Sequence, residues 1–241
     1  MIKKVLISAA GRGTRMLDLS ANKPKHLIEV NGRPFLYYLL DNLKKAGFLE
    51  VVMVVGYKKE FIEDFLQRHS DEFKVTVVNQ FDILGDKKYG TACPLECVKD
   101  LLGKENFLSV YGDNLYSVED LRNFNIDDEY NYIAGLEHQQ PQNYGVLHLD
   151  EEKFLQEIIE KPQEFVGNLI NTGLYKFTPE VFQYLDKISL SPRGEYELTD
   201  VINLLAKQKK VKALGLKNIW LDFGRPSDVE KVEDYIRQKY D

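Results

Sequence analysis

Two hydrophobic periods alternate along the first half of this chain. Residues 3–8, 50–55, 75–78 and 107–111 are short, mostly apolar runs such as Val5-Leu6-Ile7, the pattern of buried strands. Between the first two, Phe35, Leu36, Leu39, Leu40 and Leu43 recur at helical spacing. Pro34 is expected just inside the start of that helix, and Gly47 closes it. Residues 61–69 and 91–102 read as further helices. Strands that alternate with helices imply parallel pairing through right-handed crossovers.

The second half has a different rhythm. Residues 132–136, 145–149, 155–159 and 169–177 are strand-like, with short connections between them. Helical patterns return at 179–185 and 197–207, and 211–216 is again strand-like. Residues 226–238 form a last helix with Val229, Val232 and Ile236 on one face. No repeat, low-complexity segment or linker interrupts the chain. The expectation is a single α/β domain over 1–241, with a nucleotide-binding half over about 1–125 and a mixed, strand-rich half over about 126–241.

Composition narrows the partners. At 241 residues, 44% of them hydrophobic, the chain can bury a sizeable core. Its net charge of −6 argues against nucleic acid or an anionic membrane as partner, yet leaves room for a local basic pocket. With no secretory apolar segment at the start and no run long enough to span a bilayer, a cytoplasmic protein is expected. Cys93 and Cys97 lack the further soft ligands of a metal site, and His26, His69, His138 and His148 show no ligand spacing. The thiols are read as buried or half-buried in a reducing compartment.

The chemistry starts after the first strand. Ala9-Ala10-Gly11-Arg12-Gly13-Thr14-Arg15 is a small-residue loop broken by glycines, and Lys25 follows within Asn22-Lys23-Pro24-Lys25. Such a loop turns backbone N–H groups onto a phosphate. The two cations Arg15 and Lys25 suit a phosphate chain better than a neutral ligand. The dinucleotide fingerprint G-x-G-x-x-G fails at its third glycine, where Met16 stands, and no helix start follows; the P-loop pattern is absent. The alternative is an ordinary surface loop with scattered cations. Ligands of open α/β sheets lie at the carboxyl ends of strands. That rule nominates Asp113, in Tyr111-Gly112-Asp113-Asn114. Asp222, in Trp220-Leu221-Asp222-Phe223-Gly224, ends another short apolar strand. Two carboxylates completed by substrate phosphates are a common Mg²⁺ arrangement. Asp113 alone is equally readable as a cap or turn residue, and Asp222 alone reads more readily as a structural turn residue.

Taken in order, the glycine loop, Pro24-Lys25, Gly112-Asp113-Asn114, Glu160-Lys161-Pro162, Asn171-Thr172-Gly173-Leu174-Tyr175 and Trp220-Leu221-Asp222-Phe223-Gly224 resemble the sugar-1-phosphate nucleotidyltransferases, the nucleotide-sugar pyrophosphorylases. The resemblance covers about residues 3–238. It implies a Rossmann-like, three-layer α/β fold with a mixed, mostly parallel central sheet. It also implies transfer of a nucleoside monophosphate from an NTP to a sugar 1-phosphate, with release of pyrophosphate and with Mg²⁺ as cofactor. UTP or dTTP and glucose 1-phosphate or a relative are the expected substrates. By the same resemblance Ala9, Ala10, Gly11, Gly13 and Thr14 would hold the nucleotide and its phosphates. Arg15 would neutralise the leaving pyrophosphate, and Lys25 would bind near the α-phosphate. Asp113 and Asp222 would hold the metal, with Asp113 also counted catalytic. Asn79, Gly90 and Thr91 would meet the base, while Asn114, Gly145, Glu160 and Asn171 would face the sugar and Lys161 its phosphate. The attacking phosphate oxygen is already ionised at neutral pH, so the task is clamping two polyanions in line rather than removing a proton.

The chain departs from the family's pattern in places. Ala10-Gly11 stands where Gly-Gly is common, and no proline follows Arg15. The amide expected to read the base is Asn79 or Gln80, and residues 81–88 make a longer loop than the family's before Tyr89-Gly90-Thr91-Ala92. Residues 194–200 read as a helix cap with acids in its first turn and as a sugar-side wall. No hexapeptide repeat follows the last helix, so no acyltransferase activity is expected, and any homo-oligomer would use this domain itself. Two other readings stay open: cytidylyl transfer to phosphocholine or a similar phospho-alcohol, which would want an aromatic box for the cation, and a catalytically silent nucleotide-sugar sensor, which would need no metal pair.

Overall fold

The computed structural model describes residues 1–11 and 13–240; Arg12 and Asp241 lie outside the described residues. Thirteen strands are found among these residues. They are β1 (Lys4–Ala9), β2 (Glu29–Val30), β3 (Arg33–Pro34), β4 (Glu50–Val55), β5 (Val75–Asn79), β6 (Phe107–Tyr111) and β7 (Asn114–Tyr116), then β8 (Asn131–Glu137), β9 (Gly145–Leu149), β10 (Leu155–Glu160), β11 (Leu169–Phe177), β12 (Val211–Gly215) and β13 (Trp220–Asp222). Nine of them form one sheet with the path β10-β9-β11-β6-β1-β4-β5, and β8 pairs with both β11 and β12. β6, β1, β4 and β5 run parallel, as alternation with helices predicts. β11 enters antiparallel between β6 and β8, so one sheet runs through both halves of the chain.

The central strand shows why the fold forms. Val5, Ile7 and Ala9 point into one apolar layer, Leu6 and Ala10 into the other, by the period of two. β4 repeats the division, with Val51, Met53 and Val55 on one face and Val52 and Val54 on the other. The first layer is roofed by the helix Phe35–Ala46 and the C-terminal helix Ser227–Tyr240, whose Val232 and Ile236 are buried. The second is roofed by the helix Leu198–Ala206 and the short turns around Leu95 and Leu102. No helix among the described residues is long and apolar enough to cross a membrane.

Several boundaries differ from the sequence pattern. Pro34 lies before the helix Phe35–Ala46, at its cap position, because Phe35 and Leu36 begin the buried stripe and Pro34 pairs with Glu29. The helix expected over 91–102 breaks into Cys93–Cys97 and Lys99–Leu102 at Val98 (φ −116°, ψ 9°), where the chain pivots around this fully buried side chain. Residues 179–185 form 3₁₀ turns rather than an α-helix. After Gly13 the chain does turn helically, as a 3₁₀ segment Thr14–Ser20 kinked at Leu17 (φ 51°, ψ −131°) and anchored by buried Met16.

Candidate active site

A cleft of about 960 Å³ opens over the carboxyl ends of the parallel strands. Both halves of the sequence contribute to it. β1 runs into Ala10, Gly11, Gly13, Thr14 and Arg15, all on the cleft wall. Ala9, expected with them, ends the strand with its side chain in the core, because the strand's alternation turns it inward. Gly13 takes φ 67°, and Ser20 Oγ donates to its carbonyl at 2.9 Å, which holds the loop closed on itself.

The acids meet through a pairing too short to read from sequence. β13 and β7 run antiparallel with Asp222 opposite Asn114, and the Phe223 N–H donates to the Asp113 carbonyl at 2.8 Å. Both carboxylates therefore end up at one corner of the cleft. Lys25 Nζ forms an ion pair with Asp113 Oδ2, and both side chains are largely buried. Burial pushes the Asp113 carboxyl up, but the charge and hydrogen bond of Lys25 overcome it and hold the group below the usual aspartate value. Among the described residues Asp222 has no such partner. Burial, then the charges of Asp113 and Asp228, push it up to about 6. The charges of Lys25 and Arg15 offset that rise only in part, which leaves this corner able to take more positive charge. Hard oxygen donors of this kind suit Mg²⁺, and Asp113 and Asp222 are the pair that fits it. No group of three or more His, Cys, Asp and Glu among the described residues is placed to hold a metal ion, so the remaining positions would fall to water and substrate phosphates.

His26 adjoins this corner. It is 2% exposed and its Nδ1 has no hydrogen-bond partner among the described residues. Burial and the neighbouring Lys25 push it down to about 4, so the ring is neutral near pH 7. Its spacing matches no ligand motif, and no sequence signal marks it.

Of the two adjacent amides, Gln80 lines the cleft and Asn79 does not. Asn79 Oδ1 accepts from the Phe81 N–H at 3.2 Å and so caps a short helix, Gln80–Leu84, inside the segment expected to be a loop. That use turns Asn79 away from the cleft. Gln80 lines it, is 1% exposed, and leaves both Oε1 and Nε2 without partners among the described residues. A buried primary amide with both ends unmatched is costly unless a ligand completes it. Gly90 and Thr91 also line the cleft, as expected.

The acceptor end is polar. Glu160 and Lys161 leave β10 together, Lys161 in the left-handed region at φ 46° and its N–H bonded to the Tyr144 carbonyl at 3.0 Å. Non-glycine residues held there are strained, and such strain gathers at binding sites. Gly145 lies across from Glu160: a Cβ on it would come 2.9 Å from Ile158 Cγ2 and 3.0 Å from Glu160 Oε2, so a larger residue would crowd Ile158 and displace that carboxylate. Burial raises the Glu160 carboxyl against the opposing pull of Arg193 and Lys161. Asn171 lines the cleft with its amide partly engaged, Nδ2 donating to Tyr175 OH (2.7 Å) and Oδ1 accepting from Gly173 N–H (3.0 Å). The register of β11 against β8 shifts just there. Asn114 Nδ2 donates to the Thr172 carbonyl at 3.2 Å, while its buried Oδ1 has no partner among the described residues. Tyr144, Trp220 and His138 form an edge-to-face aromatic row along another part of the wall.

Comparison with known proteins gives a consistent picture. The sequence model of the nucleotidyl transferase family matches residues 4–239. The chain is 37% identical over 234 residues to a bifunctional sugar-1-phosphate nucleotidylyltransferase/acetyltransferase of Sulfurisphaera tokodaii, covering 96% of this chain and 55% of that protein. It thus spans about half the length of that relative. It is 32% identical over 246 residues to the UTP–glucose-1-phosphate uridylyltransferase AglF of Haloferax volcanii, covering 98% of this chain and 97% of AglF. A UDP-glucose pyrophosphorylase solved with UDP-glucose shares the fold, with a TM-score of 0.86 at 23% identity over 99% of this chain and all of that one.

Proposed function

Because the chain belongs to the nucleotidyl transferase family, we propose that it transfers a nucleoside monophosphate from UTP or dTTP to a sugar 1-phosphate, releasing pyrophosphate. The observation that carries the reading is the gathering, in one cleft, of a triphosphate loop, a carboxylate pair and a separate polar acceptor end. The Gln80 amide offers a donor and an acceptor side by side, which matches the N3–H and adjacent carbonyl of uracil or thymine. Uridylyl transfer is favoured by the end-to-end match to AglF.

Each charged residue then has a task set by its place. Arg15, exposed on the glycine loop, holds the β- and γ-phosphates that leave. Lys25, fixed by Asp113, stands beside the carboxylate corner and steadies charge on the phosphate under attack. Asp113 and Asp222 would hold Mg²⁺, which when bound neutralises phosphate charge and aligns the displacement. Glu160 and Asn171 accept and donate hydrogen bonds to sugar hydroxyls, and Lys161 faces the acceptor phosphate. Lys161 and Arg193 place cations at the acceptor end, which disfavours the quaternary ammonium of phosphocholine.

The test is a panel of UTP, dTTP, CTP, GTP and ATP against sugar 1-phosphates and phosphocholine, with pyrophosphate release followed in Mg²⁺ and in chelator. Metal-dependent release with a pyrimidine triphosphate and a hexose 1-phosphate is expected. Release that ignores chelation, or none with any pair, would sink the proposal. Turnover confined to CTP and phosphocholine would replace it.

A further inference from the structure

One buried carboxylate touches both ends of this cleft and is assigned to neither. Glu197 is 5% exposed and occupies the cap position of the helix Leu198–Ala206, yet its side chain makes no cap bond. The Leu198 N–H is capped instead by Thr91 Oγ1 at 2.8 Å, from the loop that carries the base-side residues. Glu197 Oε2 accepts from the same Thr91 hydroxyl at 3.3 Å. Its Oε1 accepts from Arg193 Nη2 at 2.9 Å and Nε at 3.2 Å, and from Ser191 Oγ at 3.0 Å. A second carboxylate near Arg193 is Glu160, with Oε1 3.6 Å from Nη2, and Glu160 in turn stands 4.0 Å from Lys161 Nζ.

The two backbones are locked together at this point. Tyr196 N–H donates to the Tyr89 carbonyl at 3.0 Å, and Ala92 N–H donates to the Tyr196 carbonyl at 2.9 Å. Gly90 lies between them at φ 140°, where a Cβ would strike the Tyr196 backbone. A shift of residues 195–198 therefore carries Gly90 and Thr91 with it. Burying a carboxylate is expensive unless it is paired and hydrogen-bonded. Here its oxygens are divided between a hydroxyl of the nucleotide loop and a guanidinium of the acceptor end. An arginine held through Nε and one terminal nitrogen keeps its other terminal nitrogen for a ligand, in a fixed orientation.

We infer that Glu197 is a positioning residue for both substrates: through Thr91 it fixes the loop that meets the base, and through Arg193 it fixes a cation at the acceptor phosphate. The inference rests on the two-substrate reading of the cleft. It separates from a structural role by which constant moves. Thr91→Val should raise the KM for the NTP alone, and Arg193→Ala the KM for the sugar 1-phosphate alone. Glu197→Ala should raise both, each about ten-fold, as expected for loss of one charge-assisted hydrogen bond. Glu197→Gln should raise only the acceptor KM, because its amide oxygen still accepts from Thr91 while its NH₂ faces Arg193 without charge. Thermal unfolding is measured on every variant. A Glu197→Gln protein with a lowered Tm and wild-type KM values for both substrates would overturn the inference, and this isostere decides the matter if Glu197→Ala does not fold. Calorimetric binding of UTP and of glucose 1-phosphate to each variant keeps the two readings apart. Wild-type protein that binds both without turnover refutes the enzyme reading, while the variants' Kd values still decide the role of Glu197.

Discussion

Gln80→Met should make the protein more stable and less active at once. Methionine matches the length and unbranched shape of glutamine and has no strong polar atoms, so it fills the same buried space. In the free protein Gln80 is 1% exposed and neither amide atom has a partner among the described residues. Each buried unmatched polar group costs about 1–3 kcal/mol. Removing the amide should therefore raise the stability of the free protein by about 1–3 kcal/mol. For a chain of this size a gain of 1 kcal/mol corresponds to roughly 2–4 °C in Tm. In the complex the balance reverses, because the base would bury its N–H and carbonyl against a thioether. A site built on such hydrogen bonds rejects a mismatch strongly, and kcat/KM for UTP should fall roughly a thousand-fold. The assay is thermal unfolding with and without UTP, paired with steady-state kinetics. Wild-type protein should gain Tm with UTP, and Gln80→Met should start higher and gain little. A variant that unfolds earlier than wild type, or turns over UTP normally, would refute the reasoning. Asn79→Ala is the control: it should lose about 1 kcal/mol of cap energy and keep its kinetics for UTP.

Three further outcomes follow from the charges. His26 is held down at about 4 against an ordinary 6.5, so the unfolded chain takes its proton first; the stability this neutral ring provides is present above pH 6.5 and is lost as pH falls toward 4. His26→Gln should flatten that part of the urea-midpoint profile, and an unchanged slope would count against it. Lys176 is fully buried at the end of β11 away from the cleft and donates to the Asp128 and Tyr130 carbonyls, each at 2.6 Å, and to Asp128 Oδ1 at 3.0 Å. Lys176→Met should cost about 3 kcal/mol in urea unfolding, with substrate KM values unmoved. Asp113→Asn should abolish turnover, whereas Lys161→Ala should mainly raise the KM for the sugar 1-phosphate; wild-type rates for both at low substrate would mean the site assignment is wrong.

The sequence made the regular part of this fold legible for a simple reason. Phe35 to Leu43 carries the helical period over more than two turns, and the short apolar run Val5-Leu6-Ile7 reads as a strand from the alternation of such runs with helical stretches; both are buried as that pattern predicts. The site was legible as a set of residue types and less so as a geometry. Asn79 and Gln80 are adjacent amides at the end of β5, and which one faces the cleft depends on where the next helix starts. That start is itself set by Asn79 acting as its cap, a choice visible only once the backbone turns. The pairing of Trp220–Asp222 with Asn114–Tyr116 is three residues long, too short for any period, yet it sets Asp222 beside Asp113. Glu197 reads as one more acid at a helix start, and its partners Thr91 and Arg193 come from separate stretches of chain.

On the proposed function an acidic chain must handle polyanions, and the cations that line its cleft are of two kinds. Lys25 and Arg193 are pinned, the first by Asp113 and the second by Glu197, so their orientation is settled before any substrate arrives. Arg15 and Lys161 lie nearer solvent, and among the described residues Lys161 has only the distant Glu160 at 4.0 Å. A pinned cation gives up part of its attraction to its carboxylate and gains fixed geometry, which matters most where charge develops during transfer. A free cation keeps its full charge for capture but must be ordered on binding. On the proposed function, the pinned lysine stands beside the carboxylates that would hold Mg²⁺, and Arg15, exposed on the glycine loop, would meet the leaving phosphates, so fixed geometry would fall where bonds change. The same division would let a protein of net charge −6 bind such ligands, because two of its cleft carboxylates, Asp113 and Glu197, hold cations in position rather than facing the ligand unpaired.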